Sequence, residues 1–283
     1  MFPLPGMGES TVAVPAPGVG AQRWAGSSSA ALDDDGTFVL AYRVRVTEEG
    51  RAENVIARSD DGVTYTTVCT LEASRFGGWS IERPALVRSD DGRWRLYVCP
   101  ATPNSKHWWI GMLEAEKPER FGDADVQTIF TGDDAVAVKD PVIRRTGSAW
   151  EAWICCHPLD EPDQEDRMTT SYATSEDGSH WDWHGTVLEP TPGRWDSRGA
   201  RVTAILADGR AAYDGRGTKD ENWFERTGLA QPSGGKLVAV GPQPVSTARY
   251  LDVLALPDGG YRIWYEWAVP GESHELRTEL VTR

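Results

Sequence analysis

Positive charge is in short supply in this chain: 29 Lys and Arg stand against 43 Asp and Glu, a formal net charge of −14 at pH 7. A surface of that sign repels nucleic-acid backbones and anionic headgroups, so no nucleic acid and no membrane is expected as a partner; its general effect is solubility. No apolar run approaches the roughly 20 residues that a membrane span needs. The opening Met1-Phe-Pro-Leu-Pro-Gly-Met-Gly8 has neither the basic nor the apolar stretch of a secretory leader. Cysteine is scarce too. Cys69, Cys99, Cys155 and Cys156 lack metal-ligand spacing, and the adjacent pair 155–156 reads as small buried hydrophobes on a strand. No metal and no cofactor is expected, and a reduced cytoplasmic setting fits best. Missing as well are a Rossmann fingerprint, a P-loop, a Gly-x-Ser-x-Gly elbow and a His-Glu-x-x-His zinc motif, which removes the common nucleotide, serine-hydrolase and zincin chemistries.

What the chain does have is one hairpin written five times. The clearest copy spans Pro84 to Val98: an apolar run, the turn Ser89-Asp-Asp-Gly92, then Trp94-Arg-Leu-Tyr-Val98 with alternating character. Asp-Gly between two such runs is the strongest short-range hairpin signal, because both turn residues tolerate positive φ. The phrase recurs over 30–42, 141–153, 202–213 and 251–265. Counted between Asp35, Asp91, Gly147, Asp208 and Asp258, the intervals are 56, 56, 61 and 50 residues. A period near fifty, built of strands with no helical stretch between, indicates propeller blades. The expectation is an all-β, five-bladed β-propeller over residues 23–283, preceded by a Pro/Gly/Ala-rich extended arm over 1–22 that runs along the rim or lends a strand to the last blade.

Two further patterns are structural. Ser59-Asp-Asp-Gly-Val-Thr-Tyr65 and Ser175-Glu-Asp-Gly-Ser-His-Trp181 share a Ser-x-Asp-Gly turn followed by an aromatic. That turn anchors an outer strand and places His180 and His184 at the surface. Most of the 13 Trp serve to pack blade on blade, while Trp79, Trp108, Trp109, Trp195 and Trp223 fall outside the hairpin cores and are candidate platforms for sugar rings. The third strand of blade two is expected over 106–112, and the acidic loop 160–166 is read as solvated.

Inner strands of a propeller line its axis, so their entrances line one funnel. Aligning the hairpins gives the entrances Ser27-Ser28-Ser29, Glu82-Arg83-Pro84, Lys139-Asp140-Pro141, Arg198 to Arg201 and Arg249-Tyr250. Just past the second strands stand Arg43, Cys99, His157, Asp214 and Glu266. Carboxylates (Glu82, Asp140, Asp214, Glu266) and guanidiniums (Arg43, Arg83, Arg198, Arg201, Arg249) therefore converge on one end. Mutual pairing accounts for some of them; a cationic collar in so acidic a chain also suits an anionic ligand held by bidentate Arg.

On these residues the chain resembles the propeller superfamily of family 43 and family 32 glycoside hydrolases and family 130 mannoside phosphorylases. Lys139-Asp140-Pro141 is similar to their Arg-Asp-Pro or Asp-Pro signature. Tyr42-Arg43 with the strand ending in 59–65 looks like the first blade of family 130, and Tyr213-Asp214-Gly215 sits where that family often has aromatic-His-Gly. The resemblance implies cleavage of a glycosidic bond by carboxylates, with Asp140 matching the motif and Glu82 or Asp214 as its partner. Arg43, Arg83, Arg198, Arg201, Arg249, Tyr250, Trp79, Trp195, His157 and Glu266 would hold a small, anionic carbohydrate or phosphate. Two positions depart from the pattern: Ser27–Ser29 replace the first-blade Asp of families 43 and 32, and 198–201 replace their acid motif. Phosphorolysis, hydrolysis of an acidic sugar and binding without turnover all remain open. Catalysis by Asp140 requires it to face the funnel; sealed beneath packed side chains, it leaves only the architecture.

Overall fold

The computed structural model describes residues 1–89 and 91–282; Asp90, in the second hairpin turn, and Arg283 lie outside the described residues. After a short strand β1 (Thr11–Val14), the chain forms four antiparallel units of four strands. They are β2 (Arg23–Leu32), β3 (Phe38–Val46), β4 (Arg51–Ser59) and β5 (Thr66–Glu72); then β6 (Ala85–Arg88), β7 (Trp94–Val98), β8 (Ile110–Ala115) and β9 (Val126–Phe130). Next come β10 (Val136–Thr146), β11 (Ala149–Pro158), β12 (Thr169–Ser175) and β13 (Asp182–Leu188), followed by β14 (Gly199–Ile205), β15 (Ala211–Arg216), β16 (Arg226–Ser233) and β17 (Lys236–Val240). The last unit, β18 (Arg249–Ala255), β19 (Tyr261–Val269) and β20 (Ser273–Val281), takes its fourth strand from β1, which pairs antiparallel with β20.

Ring closure is visible in the core. Apolar side chains gather in five clusters, one in each gap between successive blades, including one that joins Leu40 and Val55 of the first blade to Trp264 and Leu276 of the last. Trp94 and Trp150 stand just after their hairpin turns and pack against the preceding blade, Trp264 lies further along its strand and packs against the first blade, and all three are buried. The arm contributes too: Phe2 is buried between the fourth and fifth blades, and Glu279 accepts the N–H groups of Gly6 and Gly8. Among the described residues no helix is long and apolar enough to cross a membrane.

The hairpin turns differ from expectation in one detail. Gly36, Gly92, Gly209 and Gly259 have φ of +86°, +82°, +83° and +92°, whereas the Asp before each is not left-handed. The Gly36 N–H reaches back to the Asp33 carbonyl and the Asp33 N–H pairs with Thr37, and the other three repeat this pattern. These are three-residue loops with glycine at the bulge, in which the Asp carboxylate caps the chain just beyond. The outer Ser-x-Asp-Gly turns form as read: Ser59 and Ser175 accept the Gly62 and Gly178 N–H groups, and Asp61 and Asp177 accept two more each. His180 and His184 are exposed. Blade two departs from the expected boundary: β8 starts at Ile110, so Lys106 to Trp109 remain a loop at the mouth of the ring.

Candidate functional site

In blades one, three and five the innermost strand contains a bulge that carries a non-glycine residue in the left-handed region: Ser27 at φ +53°, Asp140 at +49° and Tyr250 at +50°. Each such residue stores backbone strain of about 1–3 kcal/mol, a common mark of a working site. These three positions coincide with aligned entrances, and they bring different blades together. Tyr250 on β18 donates to Asp140 on β10 (3.2 Å) and accepts from Arg201 on β14 (2.7 Å).

Around Tyr250 lies a buried charge network. The guanidiniums of Arg201, Arg249 and Arg43 stand 3.9, 4.8 and 5.4 Å from its ring centre. Arg201 bridges Asp140 (2.9 Å) and Asp214 (2.7 Å); Arg43 joins Glu82 (2.5 Å) to Glu266 (3.4 Å). Arg249 lies between Glu225 (3.3 Å) and Glu266 (3.4 Å), Glu225 also takes Arg216 (2.7 Å), and Glu266 accepts from His274 (2.7 Å). Removing one member of such a pair strands a buried charge, so the network fixes the geometry of the site.

Above it opens a cavity of about 320 Å³. Its walls carry eight cations, Arg43, Arg45, Lys106, Lys139, Arg201, Arg216, Lys219 and Arg249, against five carboxylates, Glu82, Asp163, Glu165, Asp166 and Glu225. The wall itself has three more cations than carboxylates, but Asp140, Asp214 and Glu266 lie directly beneath it, paired with Arg201, Arg43 and Arg249, so wall and underlying layer together balance at eight of each sign. Flat aromatic surface is interleaved: Trp24, Trp79, Trp108, Trp223 and Tyr250. Lys139 sits 4.6 Å from the Trp108 ring and, among the described residues, has no ion pair. Buried Nε atoms of Arg43, Arg201, Arg216 and Arg249 also lack a hydrogen-bond partner. Those Nε atoms are shut off from the cavity; it is Lys139, over the Trp108 ring in an aromatic-lined cavity, that suits an anionic sugar or a sugar with phosphate.

Of the residues singled out from sequence, Glu82, Arg43, Arg201, Arg249, Tyr250, Trp79 and His157 line this cavity. Six do not. Asp140 is 0 % exposed, closed over by Arg201 and Tyr250, with its Oδ1 accepting the Arg83 N–H at 3.0 Å. As an acid touching substrate it is therefore corrected: it reaches a ligand only through Arg201 and Tyr250. Asp214 is likewise sealed, accepting from Arg201 and the Tyr250 N–H. Arg83 spends its guanidinium on the Ser28 carbonyl, and Glu266 is enclosed by His274 and two arginines. Arg198 grips Asp166 in a two-pronged pair (2.6 and 2.7 Å), holding a wall residue in place. Trp195 stacks on Tyr213 at 5.7 Å and packs over Gly215.

Proton chemistry follows from these surroundings. Burial pushes the Glu82 carboxyl up, but Lys139, Arg45 and Arg43 outweigh that and hold it well below the usual range. Asp214 is pushed up by burial, yet cannot reach the cavity. His157 is lowered to about 3 by burial and by Lys139; it is neutral, with Nδ1–H donating to the Glu165 carbonyl at 2.7 Å. Glu165, Asp166 and Glu225 on the same wall are likewise held below the ordinary carboxylate range, Glu165 by backbone hydrogen bonds and the other two by neighbouring arginines that outweigh burial. Sequence reasoning missed Trp24, Arg45, Arg216, Asn222 and Glu225, which come from mid-strand or loop positions with no motif of their own. Among the described residues no group of three or more His, Cys, Asp or Glu is arranged to hold a metal ion.

No family model and no curated protein matches the chain by sequence. Its shape does match solved structures. A β-1,2-mannobiose phosphorylase from Listeria innocua superposes with a TM-score of 0.64 at 13 % identity, covering 99 % of this chain and 93 % of that one. A thermostable family-43 glycoside hydrolase gives 0.69 at 12 % identity, covering 94 % and 92 %. An α-L-arabinofuranosidase from Lactobacillus brevis gives 0.66 at 14 % identity, covering 90 % of each. The likeness is one of fold: this chain and these structures share the β-propeller architecture.

Proposed function

We propose that this protein cleaves a glycosidic bond in a small anionic carbohydrate at the axial cavity, by phosphorolysis or hydrolysis. The observation that carries this reading is Lys139, over the Trp108 ring and without an ion pair among the described residues, in an aromatic-walled cavity at the axial end of a propeller that glycoside-active proteins share. Sugar faces would rest on Trp108 and Trp79, while Lys139, Arg45 and Arg43 take an anionic group. Four free cysteines support a reducing, cytoplasmic setting.

Glu82 is the carboxylate placed to move a proton. In the empty site three cations keep it ionised. An anionic ligand that draws on Lys139, Arg45 and Arg43 removes that stabilisation, so the Glu82 pKa rises and the carboxyl can arrive protonated. As the bond from the anomeric carbon to the leaving oxygen breaks, that oxygen takes the proton of Glu82, and phosphate, or water that gives up a proton to solvent, bonds to the anomeric carbon. Asp140 is a positioning residue: it orients Arg201 and Tyr250 from below.

Glu82→Gln tests the assignment. With acidic and neutral disaccharides as substrates, turnover should fall about 10²–10⁴-fold, while Asp140→Asn changes KM and stability more than proton transfer. Dependence on inorganic phosphate selects phosphorolysis; reducing sugar released in phosphate-free buffer selects hydrolysis. A second reading, a carbohydrate-binding propeller without turnover, is favoured by one observation: Glu82 and Asp140 are both clamped by arginines at 2.5 and 2.9 Å. Saturable sugar binding with no bond cleavage, unchanged by Glu82→Gln, would select it.

A further inference from the structure

A second cavity, of about 570 Å³, opens on the blade-one side of the axial cavity. It lies where the turn after β3 and the end of β5 meet the chain leading into β6, and Arg45 and Trp79 line both spaces. The boundary is open rather than sealed: Trp79 is 56 % exposed, more than any other Trp or Phe among the described residues. Arg45 stands 5.6 Å from the ring centres of both Trp24 and Trp79, and it also reaches Glu82 at 3.5 Å. One side chain thus connects Glu82 to the edge of the second cavity.

Two details mark a platform rather than loose surface. The turn Ala73–Phe76 ends at Gly77 with φ +72°, whose N–H returns to the Ser74 carbonyl, and a Cβ on Gly78 would lie 2.7 Å from the Ala101 carbonyl oxygen. Just beyond, Ser80 and Ile81 are fully buried, so the backbone that carries the exposed indole is fixed on both sides. The lining is also balanced in charge, with Arg45 and Arg51 against Glu53 and Glu72. Arg51 donates to Glu53 at 2.9 Å, and the Ser74 hydroxyl donates to Glu72 at 3.1 Å. Donors and acceptors side by side next to an exposed indole suit a neutral pyranose, whose hydroxyls pair with both and whose C–H face rests on the ring.

We infer that the cavity beside Trp79 is an outer sugar subsite, which takes a neutral pyranose at least one unit removed from the bond cleaved beside Glu82. The assignment rests on the axial reading and adds the substrate class: an oligosaccharide of three or more units, with its anionic group at Lys139 and its neutral end at Trp79. Two observations give that length. Glu82 does not line the second cavity, so the two units that flank the bond stay in the axial one. The axial cavity, at about 320 Å³, is also at the low end of ligand sites, which span about 300–1,000 Å³, so a third unit must lie outside it.

The test uses the methyl pyranosides of D-glucose, D-galactose, D-mannose and D-xylose, followed by saturation-transfer NMR on the intact protein, with D-glucuronate as a separate probe of the axial cavity. At least one pyranoside should bind saturably with a Kd of about 1–10 mM and stay bound when glucuronate is saturating. Trp79→Ala should weaken it at least about fivefold, by loss of the platform. Ser74→Trp, which fills the second cavity from an exposed wall position outside the axial one, should abolish it, with glucuronate affinity and the unfolding midpoint unchanged. Binding of none of the four, displacement of the pyranoside by glucuronate, or equal affinity in wild type and Ser74→Trp overturns the inference, and glucuronate binding in those samples leaves the axial reading intact. If a pyranoside binds but glucuronate does not, the outer-subsite assignment falls together with the axial reading.

Discussion

Replacing Asp140 with Asn isolates the charge at the centre of the ring. Asn is well tolerated in the left-handed region, so the φ of +49° is not an added burden. The carboxylate receives three donors: the Arg83 N–H at 3.0 Å, Arg201 at 2.9 Å and the Tyr250 hydroxyl at 3.2 Å. An amide offers one oxygen and turns two N–H toward those donors, leaving at least one buried donor without an acceptor. Breaking a buried pair costs about 3–5 kcal/mol, and Asp214 still holds Arg201 at 2.7 Å, so the lower end, about 3 kcal/mol, is expected. That is a large share of a typical stability of about 5–15 kcal/mol. Urea unfolding followed by Trp fluorescence measures it. The pH dependence gives a second reading. Burial pushes Asp140 up, but Lys139 and Arg201 outweigh it and hold the carboxyl below its ordinary value. A depressed carboxyl contributes stability above its unfolded pKa of about 3.9 and loses it as pH falls through the lower folded value. The gap between wild type and Asp140→Asn should therefore be full at neutral pH and narrow below about pH 4. A loss under about 1 kcal/mol at pH 7, or a gap that stays open in acid, refutes an ionised, clamped Asp140.

Three other outcomes follow from the same coordinates. Lys139→Met removes the cation over Trp108 and should weaken glucuronate or phosphate binding about tenfold, measured by calorimetry at fixed ionic strength, and should also lower the unfolding midpoint at pH 7, because Lys139 helps keep buried Glu82 and Asp140 ionised. Asp252 is pushed up to about 6, chiefly by burial, with Arg83 only partly opposing. A raised carboxyl favours the fold below its unfolded pKa and disfavours it as pH rises past the folded one, so Asp252→Asn should gain up to about 3 kcal/mol on wild type between pH 4 and pH 8; parallel stability curves would contradict this. Gly26→Ala would drive a Cβ into Glu266 Oε2, displacing the partner of Arg43 and His274, and should cost about 1–3 kcal/mol in urea unfolding.

Much of the architecture was legible because each blade repeats its own local code. Glycine turns, alternating strands and the aromatics that follow each turn act within about a dozen residues, and those rules are indifferent to the rest of the chain. The site was legible in part. Aligning the entrances pointed to Arg43, Glu82, Arg201, Arg249 and Tyr250, which do meet. The same alignment could not tell a residue facing the cavity from one beneath it. Asp140 and Tyr250 occupy equivalent bulges, yet Tyr250 lines the cavity and Asp140 lies under it. Which one is covered depends on the length of side chains arriving from other blades.

By itself, then, the sequence determined the strands, their turns, the number of hairpin copies and the end of the ring where charge collects, since all of these are set by near neighbours in the chain. Only the tertiary structure decided that Glu82 rather than Asp140 meets the cavity and that Arg45, Arg216 and Glu225 join it. It alone also opened a second space beside Trp79. Those outcomes are fixed by contacts between blades far apart in sequence, where burial and pairing of charge are settled by packing, and no local pattern encodes them.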